Sequence, residues 1–102
     1  MLLDAGVVRT ASNIHGFTPL HIAVAYGRVE VVKIMASGHT VNVQDDSGET
    51  ALHVAAELES LELVKILVRS GANINIQNNN GKVASQLVAP NSNVVAYLES
   101  QK

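Results

Sequence analysis

The chain of 102 residues contains no cysteine, no tryptophan, one phenylalanine and two tyrosines. Without cysteine, it can form no disulfide, no thiolate metal site and no cysteine nucleophile. Aromatic residues make up 3% of the sequence, whereas hydrophobic residues as a whole reach 47%. A core must therefore be built from Val, Ile, Leu and Ala, whose short side chains suit thin helical layers packed close together.

The charge balance and the hydropathy pattern exclude further classes. Seven Lys and Arg against nine Asp and Glu give a formal net charge of −2, so the basic surface that nucleic-acid binding requires is missing. No apolar run approaches the ~20 residues of a membrane-spanning helix. The opening MLLDAG lacks the basic flank and long apolar stretch of a signal peptide. These absences predict a cytosolic or nuclear protein that binds neither nucleic acid nor membrane.

One long segment occurs twice. GFTPLHIAVAYGRVEVVKIMASG from Gly16 returns as GETALHVAAELESLELVKILVRSG from Gly48. The two copies share G-x-T-x-L-H-x-A, then an acidic residue, V-K-I and a closing S-G. A period of about 33 residues with this content is typical of stacked helix–turn–helix units joined by β-turns. Both copies resemble the ankyrin repeat. The resemblance implies an all-α solenoid with hairpin-like turns, which recognises another protein and needs no cofactor.

Each copy predicts two short helices. Thr18 and Thr50 stand where a helix N-cap is needed, and Pro19 follows at the first helical position, where its missing N–H costs little. The first helices are predicted over residues 19–25 and 51–58, and the second over 29–36 and 61–70. Isolated helices shorter than ~12–15 residues are marginal in water. We therefore expect them to be stable only because neighbouring repeats bury them.

The glycines mark the register of the repeat. Gly38 and Gly71 are expected to follow helices in the left-handed conformation, where glycine has no Cβ penalty. Gly16, Gly48 and Gly81 are expected in the turns before the next repeat, and extended stretches should lie between the two sets.

Two departures from the pattern carry predictions. Glu59 occupies the place of Gly27 between two helices, where a left-handed backbone would cost a non-glycine residue roughly 1–2 kcal/mol. The segment KIMASG is one residue shorter than KILVRSG. This difference predicts a tightened helix end near Ser37.

The pattern divides the chain into four units. We predict a partial repeat over 1–12, full repeats over 13–45 and 46–78, and a degenerate capping repeat over 79–102, where Val83, Ser85 and Gln86 replace Thr, Leu and His. MLLDAG resembles the end of a second helix without its first helix, as expected for a fragment. The uncovered N-terminal end is then a candidate surface for self-association.

Histidines and carboxylates are the candidates for chemistry. His21 and His53 stand at equivalent positions, but a third zinc ligand is missing, and zinc takes three or four protein ligands. The resemblance implies instead that each histidine ties its helix to the neighbouring turn. No nucleotide-binding, hydrolase or metalloprotease motif occurs. Asp45, Asp46, Glu49 and Glu57 are expected to form a solvated acidic rim without raised pKa values, and no catalytic residue is predicted.

The resemblance also implies a binding surface, made by the turn tips and the exposed side of the first helices. Phe17 and Tyr26 fall at its variable positions, where aromatic residues often anchor interfaces. Acidic neighbours favour a protein or peptide partner with apolar anchors and basic residues. The predicted protein-binding residues are Ile14, His15, Phe17, Ala25, Tyr26, Gln44, Asp46, Ser47, Glu49, Glu57, Leu58, Gln77, Asn79, Asn80 and Lys82.

Three expectations about biological role follow from the resemblance. The chain is expected to act as an adaptor or scaffold, or alternatively as an inhibitor of a kinase or transcription factor. No motif separates an inhibitor from a scaffold. A further alternative is a regulatory or targeting segment of a larger enzyme or channel, which the incomplete first repeat favours. Asn75, with Leu67 eight residues before it, is a candidate substrate of the oxygen-sensing asparaginyl hydroxylase.

Overall fold

Five short α-helices and two 3-10 turns make up the part of the chain that the structure describes. The computed structural model describes residues 16–36 and 38–101, with only the backbone of Gly38 and His39. The α-helices are α1 (Pro19–Ala25), α2 (Val29–Met35), α3 (Ala51–Glu57), α4 (Leu61–Arg69) and α5 (Asn93–Glu99), and the 3-10 turns are Gly38–Asn42 and Ala84–Leu87. No β-strand occurs within the described residues, so the predicted all-α class is confirmed. The predictions for residues 1–12, Ile14, His15 and Ser37 lie outside this part of the chain.

Side-chain caps fix where the helices begin. Thr18 accepts a hydrogen bond from the backbone N–H of His21, and Thr50 does the same for His53. Ser60 caps α4 by accepting from the N–H of Leu63. Each cap satisfies a backbone donor that the helix itself leaves free. The predicted starts are confirmed, whereas α2, α3 and α4 each end one residue earlier than predicted, which is the usual uncertainty for frayed helix ends.

The helices stack in two rows. In the first row α1 packs on α3, and α3 packs on the 3-10 turn Ala84–Leu87; in the second row α2 packs on α4, and α4 on α5. The rows enclose one continuous apolar core, whose fully buried large side chains include Leu52, Leu63, Leu67, Val32 and Leu98. Since every helix has nine residues or fewer, this mutual burial is what makes them stable.

Two histidines join successive layers. The Nδ1 atom of His21 accepts from the backbone N–H of Thr18 at 3.1 Å, and Nε2 lies 2.8 Å from the carbonyl oxygen of Glu49. Because a carbonyl only accepts, Nε2 carries the proton and donates. His53 repeats the arrangement, with Nε2 2.9 Å from the carbonyl of Lys82. The prediction that these histidines tie a helix to the neighbouring turn is confirmed.

The turns before α3 and before Ala84 are near-copies of each other. Asp45 N–H donates to the Glu49 carbonyl and Gly48 N–H donates to the Asp45 carbonyl, both at 2.9 Å. One repeat later, the Asn78 N–H donates to the Lys82 carbonyl and the Gly81 N–H donates to the Asn78 carbonyl. Gly16, Gly48 and Gly81 have φ of 77°, 79° and 76°. Hairpin-like turns at the predicted glycines are therefore confirmed.

The extended stretch predicted after α2 is wrong. Residues Gly38–Asn42 form a 3-10 turn instead, and the Thr40 hydroxyl donates to the carbonyl of Met35 at 3.2 Å. The Met35 carbonyl at the end of α2 is thus satisfied by a residue only five positions later. Such a short-range bond favours a helical turn over an extended chain. Gly71 does follow α4 in the left-handed region, with φ 103°, as predicted.

The last unit has lost its first α-helix. Val83 replaces the capping threonine and has no side-chain oxygen to hold the early N–H groups. Gln86 stands where the histidine stands in the earlier units, and its Oε1 accepts from the Val83 N–H at 2.8 Å. That one bond supports only the 3-10 turn Ala84–Leu87.

We predict that Gly48→Ala destabilises the protein by about 2–3 kcal/mol and Gly81→Ala by about 1 kcal/mol. Both residues have positive φ, but a Cβ at Gly48 would lie 2.5 Å from Asn79 Oδ1 and 2.7 Å from Asn79 N, whereas a Cβ at Gly81 meets nothing within 4 Å. Urea unfolding measures both variants. Equal losses of stability would show that contact between successive turns adds nothing.

We predict that Glu59→Gly stabilises the protein by about 0.5–1 kcal/mol, because Glu59 has φ 54° and the relief of left-handed strain exceeds the entropic cost of glycine. Gly27, with φ 69° and nothing within 4 Å of a Cβ, is the matched control, and Gly27→Ala should cost about 1 kcal/mol. Thermal and urea unfolding test both. A less stable Glu59→Gly variant would contradict the assignment of strain.

Candidate functional site

A groove of about 440 Å³ lies between α1, α3 and the turn that joins the two full repeats. It is an open cleft in the surface, so it can receive a side chain or a short segment. Its lining residues are Phe17, His21, Ile22, Ala25, Tyr26, Asp45, Ser47, Glu49, Val54 and Glu57. Six of the predicted protein-binding residues therefore meet in one place: Phe17, Ala25, Tyr26, Ser47, Glu49 and Glu57.

One wall of the groove is apolar. Ile22, Ala25 and Tyr26 are spaced i, i+3 and i+4, so they share one side of α1. Val54 occupies the position of Ile22 one repeat later and faces the same groove. Tyr26 is 75% exposed, while Phe17 is half-buried with its ring centroid 6.1 Å from that of His21. Tyr26 thus offers most of its ring to a ligand, and Phe17 lines the groove beside His21.

The other wall is acidic. Partial burial raises the pKa of Glu57, and the neighbouring charge of Glu49 raises the same pKa further, with a smaller contribution from Asp45. His53 acts in the opposite direction. The expectation that no carboxylate here has a raised pKa is therefore wrong for Glu57. The cause is a negative charge held beside a second one in a partly dehydrated position.

The prediction that Asp45 belongs to a solvated acidic rim is also wrong. It is buried, and its Oδ1 accepts from the N–H groups of Ser47 at 2.8 Å and Glu49 at 2.9 Å. The carboxylate stabilises the turn in the manner of an Asx-turn. Asn78 repeats this role with bonds to Asn80 and Lys82. The acidity that a ligand meets therefore comes chiefly from Glu49 and Glu57.

Glu49 is held in place by the following repeat. Asn78 Nδ2 lies 3.5 Å from Glu49 Oε2, at the limit of a hydrogen bond. A salt bridge joins Glu30 and Lys33 at 3.6 Å on the exposed side of α2. Among residues 16–36 and 38–101, no cationic side chain forms a salt bridge with Glu49 or Glu57, so in this part of the chain their negative charge is not compensated.

Four other predicted binding residues, Gln44, Asp46, Gln77 and Asn79, take part in the contact between successive turns. Gln44 Nε2 donates to the carbonyls of Gly48 at 2.7 Å and Gln77 at 3.0 Å. Asn79 donates through Nδ2 to the Asp46 carbonyl at 2.8 Å. These bonds hold the stack together and leave Gln44 and Asn79 less available to a partner.

Leu58, Asn80 and Lys82 are exposed but do not line the groove. Leu58 occupies the position of Tyr26 one repeat later, facing the last unit. Whether these residues contact a partner stays a prediction.

Sequence reasoning missed Ile22 and Val54 as groove residues. Both follow a buried histidine directly, and helical spacing links Ile22 to Tyr26 and Val54 to Glu57. That spacing was the available signal. It was overlooked because aliphatic residues inside a repeat usually belong to the core.

The geometry gives no support to a metal at the histidines. Both ring nitrogens of His21 and of His53 are occupied by hydrogen bonds. Residues 16–36 and 38–101 hold no group of three or more potential metal ligands. In the same part of the chain, no helix combines the length and the apolar character that crossing a membrane requires.

Asn42 and Asn75 differ although they occupy equivalent positions. Asn42 bridges to the next turn, donating to the Gly71 carbonyl at 3.3 Å and accepting from the Asn73 N–H at 2.8 Å. Asn75 is exposed, and its backbone N–H donates to Asn73 Oδ1 at 2.9 Å. Asn75 is thus the more accessible of the two side chains.

Comparison with known proteins agrees with this architecture. A family model described as ankyrin repeats, in three copies, matches residues 1–78. The chain belongs to the ankyrin repeat family. Ankyrin repeats are protein–protein interaction modules, so the groove lies on a chain built to contact another protein.

Several relatives share this ankyrin segment. An ankyrin repeat-containing protein of Schizosaccharomyces pombe is 36% identical over 91 residues, which is 87% of this chain and 42% of the relative. The E3 ubiquitin-protein ligase KEG of Arabidopsis thaliana is 37% identical over 89 residues, 80% of this chain and 6% of the ligase. Ankyrin repeat and SOCS box protein 11 of Mus musculus is 40% identical over 81 residues, which is 76% of this chain and 24% of that protein. The chain thus spans less than half the length of these curated relatives.

Proposed function

We propose that this ankyrin domain is a non-catalytic adaptor or scaffold that binds a protein segment in the groove between α1, α3 and the intervening turn. One observation carries the proposal: exposed Tyr26 and the carboxylates of Glu49 and Glu57 converge on one cleft from two successive repeats. A rigid stack holds these side chains without a ligand, so binding costs little conformational entropy. The partner should bring apolar side chains for one wall and positive charge for the other.

A second candidate role is that of a recognition segment within a larger enzyme or channel. The small share of each relative that the chain covers favours this role, most clearly the 6% of KEG. Both roles use the same groove and differ only in what is attached to the domain. A cytosolic or nuclear location remains our prediction for either.

Self-association is a further part of the proposal, and we place its contact on the apolar surface that α2 exposes at the N-terminal side of the described stack. Val31 is 42% and Ile34 80% exposed on α2, whereas Leu63, the equivalent of Val31 one repeat later, is 1% exposed. α2 itself packs on α4, and no described helix packs in that way on the outer side of α2. A second copy packed there would bury this apolar surface.

Asn75 also stays a proposed substrate for asparaginyl hydroxylation. Its exposure on a turn supports access by an enzyme.

We predict that Tyr26→Ala weakens binding of groove-directed peptides about tenfold, because Tyr26 is the largest exposed apolar surface at the groove. The peptides are selected from a random phage-displayed library against the wild-type protein and measured by calorimetry. Tyr26→Phe should retain most of the affinity, and the double variant Phe17→Ala with Tyr26→Ala should lose more. Arg69→Ala, an exposed change at the end of α4, is the control. Selected peptides that bind all variants equally, with the fold intact by circular dichroism, would contradict the proposed function.

We predict that the chain forms a reversible dimer, and that Ile34→Glu abolishes it by placing a charge in the apolar contact. Sedimentation equilibrium over a range of concentrations measures this. Glu62→Gln, an exposed change on α4, serves as control. At about 100 µM, even a weak dimer with a Kd of ~0.1 mM would be detected. A wild-type chain that stays monomeric at this concentration would therefore contradict self-association.

A further inference from the structure

The two walls of the groove differ in chemistry, and their arrangement restricts what can occupy it. The apolar lining comes mainly from α1, with Val54 of α3, and the acidic lining comes from Glu49 of the turn and Glu57 at the end of α3. A segment lying across the groove therefore meets apolar surface on one side and carboxylates on the other. An apolar side chain and a cation must lie close together in the segment to reach both walls.

We propose that the partner segment carries an arginine next to an apolar residue, and that this arginine is held between Glu49 and Glu57 while its neighbour packs against Ile22 and Tyr26. The inference rests on the proposed function, and adds to it the identity of the cation and a linkage of binding to protons.

Charge complementarity selects a cation. Glu49 and Glu57 come from different elements and face the same cleft, and neither makes a salt bridge within residues 16–36 or 38–101. Glu49 is oriented by Asn78 of the next repeat. In the free protein a hydrogen bond to Glu49 also favours the protonated form of Glu57. When both groups are ionised they repel each other, and a cation that contacts both carboxylates removes that repulsion.

The surroundings favour arginine over lysine. A guanidinium is planar, presents five donors and can bond to both carboxylates at once, whereas an ammonium acts as a compact, strongly hydrated point charge. Guanidinium groups also stack on aromatic rings, and Tyr26 offers a ring on the opposite wall. Because a guanidinium is more weakly hydrated, it loses less on entering the cleft.

Proton linkage follows from the state of Glu57 in the free protein. The groups that act on its carboxyl are Glu49 and Asp45 from the turn and His53 from its own helix, while His21 lines the groove from α1. The pKa of Glu57 lies above its ordinary value of 4.5, and a bound cation lowers the pKa of a carboxyl. Binding therefore releases a proton from the fraction of Glu57 that is protonated. Affinity increases as the pH rises through the free-state pKa and levels off above it.

The same shift predicts the stability of the test variant. A carboxyl whose pKa is higher in the folded than in the unfolded state favours unfolding once it is ionised, so its contribution becomes less favourable as pH rises. Glu57→Gln removes that repulsion. The variant should be at least as stable as the wild type at neutral pH, which separates effects on binding from effects on folding.

The experiment uses the selected phage-library peptides, restricted to sequences without histidine. We expect enrichment of peptides with arginine within two positions of an aliphatic or aromatic residue. Replacing that arginine by lysine should weaken binding less than replacing it by alanine. Glu57→Gln should lower affinity about three- to fivefold at about pH 7.5, the range expected of an exposed ion pair. It should also flatten the loss of affinity that the wild type shows as the pH falls from about 7.5 through the raised pKa of Glu57.

Glu30→Gln supplies the matched control, because it makes the same charge change on the far side of α2 and should leave affinity and pH dependence unaltered. Peptides that are sensitive to Tyr26→Ala but lack arginine, or whose affinity does not change with pH, would overturn this inference and leave the proposed function standing. Peptides insensitive to Tyr26→Ala would overturn both. Equal effects of Glu30→Gln and Glu57→Gln would assign the result to net charge and overturn the specific site.

Discussion

Mutual burial of helices that are too short to exist alone is the constraint on which the structure depends. Helices of seven to nine residues gain their stability from the layers on either side. The hydrogen bonds of the histidines fix how successive layers are oriented. The imidazoles of His21 and His53 each hold their own helix start with one nitrogen and the next turn with the other. Capping, packing and the spacing of the turns are therefore one coupled arrangement.

The groove is a by-product of that coupling. His21 donates to the backbone carbonyl of Glu49, so the bond that joins the layers also places the Glu49 side chain beside α1. The neighbouring Asp45 fixes the same turn from inside. A surface built from bonded turns is stiff, and its side chains present their charges without first having to be ordered. Uncompensated carboxylates persist there because the stack is stabilised elsewhere, in its apolar core.

Much of this architecture could be predicted from the sequence, because each feature had a local cause. Thr18 and Thr50 predicted the helix starts, since few other residues cap a helix as well. Gly48 and Gly81 predicted the turns, since few other residues adopt a positive φ. Glu59 was correctly suspected of left-handed strain by comparison with Gly27. Features that depend on contacts between layers were harder. The sequence did not reveal that Gln44 and Asn79 bond to neighbouring turns, or that Asp45 is buried while Glu57 is not.

The 3-10 turn after α2 shows the same limit from another side. Its residues were predicted to be extended because they lie between the glycine that follows α2 and the glycine of the next turn. They form a 3-10 turn instead, and the Thr40 hydroxyl donates to the Met35 carbonyl. The groove residues Ile22 and Val54 were not predicted for a related reason. From the sequence alone, an aliphatic residue beside a buried histidine cannot be distinguished from a core residue. Periodicity predicts which side of a helix a residue occupies, and only the stack decides what that side faces.

Gln86 gives the pile of layers a polarity. At this position His53 sends a donor forward to the next turn, whereas Gln86 bends its amide oxygen back onto the Val83 N–H. Gln86 therefore repeats only the backward half of the histidine arrangement, with its amide oxygen in the place of Nδ1. Its amide nitrogen can still donate, but within residues 16–36 and 38–101 it makes no bond to a further turn. In the described part of the chain, the series of imidazole-to-carbonyl bonds thus runs from His21 to His53 and is not continued by Gln86.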